Sequence, residues 1–213
     1  MTPLALAATL FALPMARELR LIGGLGVRVL SGNKARVTLD VDLVVSTSAA
    51  AGSLRAHLEA DGWKVGDAGA YFRARKAGEP AIDVFVDPVT NPRTFESTRL
   101  SQPPVERVVD GARYVVAAPH DIAFLKLCAG RDQDAIDVAI LAAAEPLVAS
   151  SLVAIAEAND LEIRLAEGAQ RFRNLVQRAA IETVAAELLG RPFGADERES
   201  LARLLAQLQV EGT

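Results

Sequence analysis

The sequence has little cysteine, little histidine and no apolar run of membrane-spanning length. Cys128 is the one cysteine among 213 residues, which excludes an internal disulfide and a thiolate zinc site and favours a reducing, cytoplasmic location. The histidines, His57 and His120, have no Ser or Cys at a spacing that indicates a catalytic nucleophile. The apolar stretch of residues 3–16 is shorter than the ~20 residues that a bilayer span requires. No Lys or Arg precedes it, so we expect a helix packed on the core and no membrane partner.

A strong excess of either charge is also missing. Lys and Arg number 23 and Asp and Glu number 27, which gives a formal net charge of −4. This balance excludes a protein that coats nucleic acid non-specifically, although it leaves room for a local basic groove. The hydrophobic fraction of 51% and the charged fraction of 23% are typical of a globular protein and exclude an intrinsically disordered chain.

The order of the predicted elements divides the chain into two regions. Short strands, turns and a few helices alternate in the first region, whereas the second is rich in Ala and Leu with helical periodicity. The predicted strands cover residues 20–22, 36–45, 63–65, 70–74, 81–86 and 113–116, and residues 91–104 are expected to form a loop. We therefore predict an α+β core in residues 1–118, followed by a helical region in residues 119–213.

Polar and apolar residues alternate through the predicted strand 36–45. Alternate side chains of a strand share a face, so we expect one polar face and one packed face. The polar face would carry Arg36, Thr38, Asp40 and Asp42, and the packed face Val37, Leu39, Val41 and Leu43. Two carboxylates two residues apart on one face repel each other, which indicates a cation between them. Hard oxygen ligands favour Mg²⁺; the alternative is a solvent-facing strand with solvated charges.

A second acid lies in a strongly apolar strand. Asp83 interrupts the sequence Ala-Ile-Asp-Val-Phe-Val of residues 81–86, and a carboxylate in such surroundings needs a partner. If this strand lies beside the first, Asp83 joins Asp40 and Asp42 in one cluster. Three carboxylates can hold two metal ions and leave one group to deprotonate an attacking hydroxyl.

Three further features flank these acids. Gly23-Gly24 precedes the acidic strand, where backbone N–H groups can receive phosphate oxygens, although a tight turn is the simpler interpretation. Lys126, Asp134 and Asp137 fall within an arc of about 80° on a continuous helix. A break at Gly130 would alter that arc, and a solvated ion-pair face is the alternative interpretation. A third group, Arg73, Arg75 and Lys76, is interpreted as an exposed hairpin.

In this order, the motifs resemble the nucleotidyltransferase-fold superfamily, the DNA-polymerase-beta-like group. The resemblance is greatest to minimal bacterial nucleotidyltransferases, including AbiE-type abortive-infection toxins and mycobacterial toxins that modify transfer RNA. It covers about half of the chain and rests on Gly23-Gly24, the string Arg36-x-Thr38-x-Asp40-x-Asp42, Asp83, and the Lys126 helix with Arg131, Asp134 and Asp137. One departure is Leu25, where many members have a phosphate-contacting Ser or Thr after the Gly pair.

The resemblance implies a small mixed sheet flanked by helices, an appended helical region and a set of site residues. Asp40, Asp42 and Asp83 would be the catalytic residues and the ligands of Mg²⁺, one ion or two, with Asp83 sharing a metal or activating the acceptor. The nucleotide triphosphate would meet Gly23, Gly24, Arg36, Thr38 and Lys126, while Asp134 or Asp137 steadies the Lys126 helix or the nucleotide site.

The implied reaction is transfer of an NMP from an NTP to an acceptor hydroxyl, with release of pyrophosphate. The acceptor could be a transfer RNA, a protein or a small molecule, and a toxin of this group would have a cognate antitoxin as a partner. Two alternatives stay open: a catalytically silent module that binds a nucleotide or a protein partner, and a structural α+β protein whose acids are solvated.

Overall fold

The computed structural model describes residues 1–69 and 71–211. Ala70, the first residue of the predicted strand 70–74, and the last two residues of the predicted helical region lie outside the described residues. The described chain divides into two compact units, residues 1–29 with 38–117 and residues 30–37 with 118–213. No helix of the described residues is long and apolar enough to cross a membrane.

The first unit is built on strands, and the second on helices. The strands are β1 (Leu19–Leu21), β2 (Asp40–Val45), β3 (Lys64–Asp67), β4 (Tyr71–Arg75), β5 (Ala81–Val86), β6 (Val89–Thr90), β7 (Ser97–Thr98), β8 (Val105–Val109) and β9 (Ala112–Val116). The α-helices are α1 (Pro3–Phe11), α2 (Gly23–Ser31), α3 (Ser48–Ala60), α4 (Pro119–Ala129), α5 (Asp132–Ala144), α6 (Ala149–Glu157), α7 (Glu162–Gln177), α8 (Ala180–Leu189) and α9 (Ala195–Glu211). A 3₁₀ turn covers Ala16–Glu18.

Seven strands form one mixed sheet in the order β3-β4-β5-β2-β1-β9-β8. The pairs β2/β5 and β1/β9 are parallel, and the other neighbours are antiparallel. The predicted fold class, an α+β protein with a mixed sheet, flanking helices and a helical C-terminal region, is therefore confirmed.

One face of this sheet supplies the core of the first unit. Val41 and Leu43 of β2 are fully buried, and their register partners on β5, Ile82 and Val84, are buried beside them. Helix α3 packs on β2, β3 and β5, and the Thr47 hydroxyl caps its start by accepting a hydrogen bond from the backbone N–H of Ala50 at 3.1 Å. Burial of these apolar side chains fixes which residues of β2 and β5 face the other side.

Two local predictions are wrong. The predicted strand 36–45 begins only at Asp40, and Val37 and Leu39, expected to pack, are 57% and 84% exposed. The strand does not extend to Arg36, because the backbone N–H of Arg36 donates a hydrogen bond to the carbonyl of Asn33 and its side chain pairs with the buried Asp137. The predicted loop 91–104 contains β7, which pairs with β6.

The second unit is a set of packed helices. Gly130, in the left-handed conformation at φ 61°, ends α4 and separates it from α5, which is the break that the sequence left open. Helix α7 packs closely on α4 at Gly168. A Cβ added at this residue would lie only 2.0 Å from the carbonyl oxygen of Leu127. The segment 30–37 belongs to this unit.

Candidate active site

The sheet register brings the three predicted acids together. Asp42 of β2 and Asp83 of β5 are direct register partners, and Asp40 lies two residues before Asp42 on the same face. One carboxylate oxygen from each of the three residues lies within 4.8 Å of the others. The sequence left the neighbourhood of these two strands as a condition, and the pairing of β2 with β5 meets it.

Thr38 supports the first of these acids. Its hydroxyl donates a hydrogen bond to Asp40 Oδ1 at 2.9 Å, and its side chain is buried although it precedes β2. Because the Thr38 hydroxyl is used in this way, its direct contact with a nucleotide stays a prediction.

Gly23 makes room for the second acid. It has a φ of +64°, and a Cβ at this position would lie 1.9 Å from Asp42 Oδ2. A side chain at this position would therefore collide with the carboxylate of Asp42. Glycine is needed here both for the left-handed backbone conformation and for the space that Asp42 occupies. Gly23 is the first residue of α2 and Gly24 the second, which places the start of this helix beside Asp42.

Arg73 of β4 holds the third acid. Its Nε and Nη2 donate to Asp83 Oδ1 and Oδ2, both at 2.6 Å. Burial raises the pKa of Asp83, and the hydrogen bonds from Arg73 oppose this effect without cancelling it. The sequence interpretation missed this pair. A signal was available, since Arg73 and Asp83 are symmetrically placed about the Gly78 turn and are register partners.

Basic side chains continue along the edge of the same face. Lys64 of β3 and Arg75 of β4 are direct register partners, and Arg75 shares its face with Arg73. None of the described side chains forms an ion pair with Lys64 or Arg75. Two like charges opposite each other destabilise a strand pair. Tyr71, also on this face, stacks on Phe85 with ring centroids 4.8 Å apart. We call Lys64, Tyr71, Arg73 and Arg75 the basic edge.

The remaining predicted site residues meet in the second unit. Lys126 Nζ lies 2.9 Å from Asp134 Oδ1 and 2.7 Å from Asp137 Oδ2, and Arg36 bonds to both oxygens of Asp137. Arg131 bonds to both oxygens of Asp134. These five residues, all buried except Arg131, form what we call the buried ion cluster, which joins segment 30–37 to α4 and α5. The cluster contains the Lys126–Asp134–Asp137 grouping that the helical arc predicted, across the break at Gly130.

The charges of this buried ion cluster stabilise one another. Burial disfavours the charged form of Lys126, but Asp137 and Asp134 outweigh burial and raise the pKa of the amine. Burial likewise opposes the charge of Asp137, while Lys126 and Arg36 bring the pKa of that carboxyl below its ordinary value. Both groups are therefore charged at neutral pH. The assignment of Arg36, Lys126, Asp134 and Asp137 to nucleotide binding stays a prediction.

The residues of the first unit fit a magnesium site. The donor set consists of three carboxylates, which are the hard oxygen ligands that Mg²⁺ prefers. The absence of a side chain at Gly23 leaves space at Asp42 Oδ2 and lets backbone approach the cluster. Three acids within 4.8 Å also repel one another, and a bound cation would add to the positive charge that Arg73 supplies at Asp83.

Comparison with known proteins identifies the fold. No known protein family matches the sequence, and no curated protein matches it either. Among solved structures, ANT(2″)-Ia in complex with adenylyl-2″-tobramycin matches over 74% of this chain and 93% of its own, with 19% identity and a TM-score of 0.53. Lincomycin-bound LnuA, a lincosamide antibiotic adenylyltransferase, matches over 65% of this chain and 94% of its own, with 18% identity and a TM-score of 0.49.

A third solved structure is an antigenic nucleotidyltransferase-like protein from Paracoccidioides brasiliensis. It matches over 88% of this chain and 96% of its own, with 15% identity and a TM-score of 0.48. The likeness to ANT(2″)-Ia agrees with the mixed sheet, its flanking helices and the helical C-terminal region of this chain. The protein therefore has the nucleotidyltransferase fold.

Proposed function

We propose that the protein is a Mg²⁺-dependent nucleotidyltransferase that transfers an NMP from an NTP to an acceptor hydroxyl. The observation that carries this proposal is the cluster of Asp40, Asp42 and Asp83 on one face of the sheet, with carboxylate oxygens within 4.8 Å of one another. The nucleotidyltransferase fold supports it. A structural protein with solvated acids has no need to gather three carboxylates in this way.

The three acids would share one task in the proposed reaction. Asp40, Asp42 and Asp83 would hold Mg²⁺, one ion or two, which would offset the negative charge of the triphosphate and make its α-phosphorus more electrophilic. The Thr38 hydroxyl fixes one oxygen of Asp40, and Gly23 allows Asp42 its position. Most of the catalytic effect would come from positioning and electrostatics.

The proposed reaction is a single displacement at the α-phosphorus of the NTP. The acceptor oxygen forms a bond to the α-phosphorus while the bond from that phosphorus to the β-phosphate oxygen breaks, and the electron pair leaves with pyrophosphate. The acceptor proton passes to a carboxylate oxygen of Asp83, whose pKa burial raises above the ordinary carboxyl value. Backbone N–H groups near Gly23 and Gly24 would bind phosphate oxygens.

The buried ion cluster contains the other residues that the resemblance assigns to nucleotide binding. Arg36 and Lys126 carry positive charge close to Asp134 and Asp137. In the proposed site Lys126 contacts the triphosphate, and Asp134 and Asp137 hold the helix that carries Lys126. A titration of wild type and Lys126→Met with each NTP tests it, since a triphosphate contact predicts weaker NTP binding in a variant that remains folded.

The basic edge favours RNA as the acceptor. Lys64 and Arg75 are like charges in register, and a phosphate backbone would relieve the repulsion between them. Tyr71 offers an aromatic ring beside them. A transfer RNA in the reducing cytoplasm is the acceptor that we propose, and the protein would then act as a toxin of the AbiE type with a cognate antitoxin.

The test is pyrophosphate release from each of the four NTPs, with Mg²⁺ and total RNA, followed by detection of labelled product. Wild type is compared with Asp40→Asn and with Asp110→Asn, a matched control in the exposed turn between β8 and β9. Label in an RNA band that is lost in Asp40→Asn and retained in Asp110→Asn supports the proposal. Label on a protein or a small molecule keeps the enzyme and rejects RNA, whereas NTP binding without turnover identifies a silent module.

A further inference from the structure

Arg73 bonds to both oxygens of the Asp83 carboxylate. Its Nε and Nη2 each lie 2.6 Å from a different oxygen of that carboxylate, which is the bidentate geometry that gives the strongest ion pairs. The Asp83 side chain is 8% exposed, whereas that of Arg73 is 30% exposed. The acid is therefore fixed in the sheet, and the guanidinium is the partner that has room to move.

The same carboxylate belongs to the acidic cluster. Asp83 is the register partner of Asp42 on one side and of Arg73 on the other, so the three residues form a row across β2, β5 and β4. A carboxylate oxygen that accepts a hydrogen bond from a guanidinium has less electron density to offer a metal ion. The positive charge of Arg73 also repels any cation that approaches Asp83.

On the basis of the function proposed above, we propose that Arg73 is a positioning residue that holds Asp83 in place of a metal ion and competes with metal for it. Asp40 and Asp42 would then contact the first ion before Asp83 does. Asp83 becomes a ligand or a proton acceptor only after Arg73 withdraws from at least one oxygen. The cluster is thus kept from full mutual repulsion before metal binds.

The test measures binding of Mn²⁺ alone, by calorimetry and by the electron paramagnetic resonance signal of free Mn²⁺. Arg73→Gln removes both the hydrogen bonds and the charge, and we expect its Kd for Mn²⁺ to fall by about tenfold or more relative to wild type. Arg75→Gln is the matched control, because it removes the same charge from the same face without a bond to Asp83. Its Kd is expected to change by about threefold or less.

Three results would overturn the proposal. The first is an unchanged or raised Kd in Arg73→Gln, and the second is an equal fall in Arg73→Gln and Arg75→Gln, which would make net charge the whole cause. The third is a tightening by Arg73→Gln that persists when Asp83 is also replaced by Asn. If Arg73→Gln does not fold, Arg73→Lys decides. It keeps the charge and cannot bond to both oxygens in the same way, so a lower Kd is again expected.

The failure of this inference and the failure of the proposed function are distinguishable. Mn²⁺ binding by wild type that is lost in Asp40→Asn, together with no effect of Arg73→Gln, rejects only the competition between Arg73 and metal. Absence of Mn²⁺ binding in wild type and in every folded variant rejects the metal-dependent function itself, and with it the competition.

Discussion

Replacing Gly23 by Ala should disable the site with little loss of the fold. The new Cβ would lie 1.9 Å from Asp42 Oδ2, whereas non-bonded atoms essentially never lie closer than 3.0 Å to a Cβ. The carboxylate would therefore have to move by about 1 Å, and a displacement of this size at reacting groups costs about 100-fold in rate. The left-handed φ of +64° would add about 1–2 kcal/mol of destabilisation.

Gly32→Ala is a matched control at the other end of the same helix. Gly32 has a φ of +67°, but among the described residues nothing beyond its two chain neighbours lies within 4 Å of its Cβ position. Urea unfolding should show a similar loss of stability in both variants, about 1–2 kcal/mol. Only Gly23→Ala should lose Mn²⁺ affinity and pyrophosphate release. Equal metal affinity in Gly23→Ala and Gly32→Ala would refute the argument that Gly23 is required by Asp42.

Three further predictions concern the second unit. Lys126→Met should lower the free energy of unfolding by about 3 kcal/mol, measured in urea, because it breaks the buried ion cluster. Gly168→Ala should destabilise by about 1–3 kcal/mol or prevent folding, because its Cβ would lie 2.0 Å from the Leu127 carbonyl oxygen; a wild-type melting temperature would contradict this. Burial lowers the pKa of His120, whose Nε2 accepts a hydrogen bond from the backbone N–H of Val148 at 3.0 Å. The resulting stability is fully present above about pH 6.5 and declines as the pH falls toward the lower folded pKa. Unfolding of wild type should therefore show a steeper pH dependence below pH ~6.5 than that of His120→Gln.

The strands that were predicted well are those whose sequence determines both faces. Residues 81–86 form β5 with the predicted bounds, because an apolar run around one acid fits a central strand that is buried on one face and carries an acid on the other. The register that pairs Asp42 with Asp83 was stated only as a condition. The sequence of a single strand does not determine which strand pairs with it in the sheet.

Other elements depended on contacts distant in sequence. The alternation from Arg36 to Leu39 continues that of β2, yet no strand forms there, since Asp137, 101 residues away, holds the Arg36 side chain. Strand β8 was not predicted, although Asp110-Gly111 between two valine-rich segments is a hairpin signal. Arg73 was interpreted as an exposed hairpin residue because its role depends on a register partner rather than on its neighbours in sequence.

The apolar character of β5 has a consequence for how this fold changes over time. Ile82 and Val84 are buried in the core, and Asp83 lies between them on the opposite face. A slip of β5 by one residue would turn Asp83 into the apolar core and turn Ile82 and Val84 away from it. The acid of the site therefore also marks the register of its strand, and its pair with Arg73 holds that register from the neighbouring strand. A lineage in which an apolar residue replaces Asp83 would lose the chemistry of the site and this mark of the register in the same step.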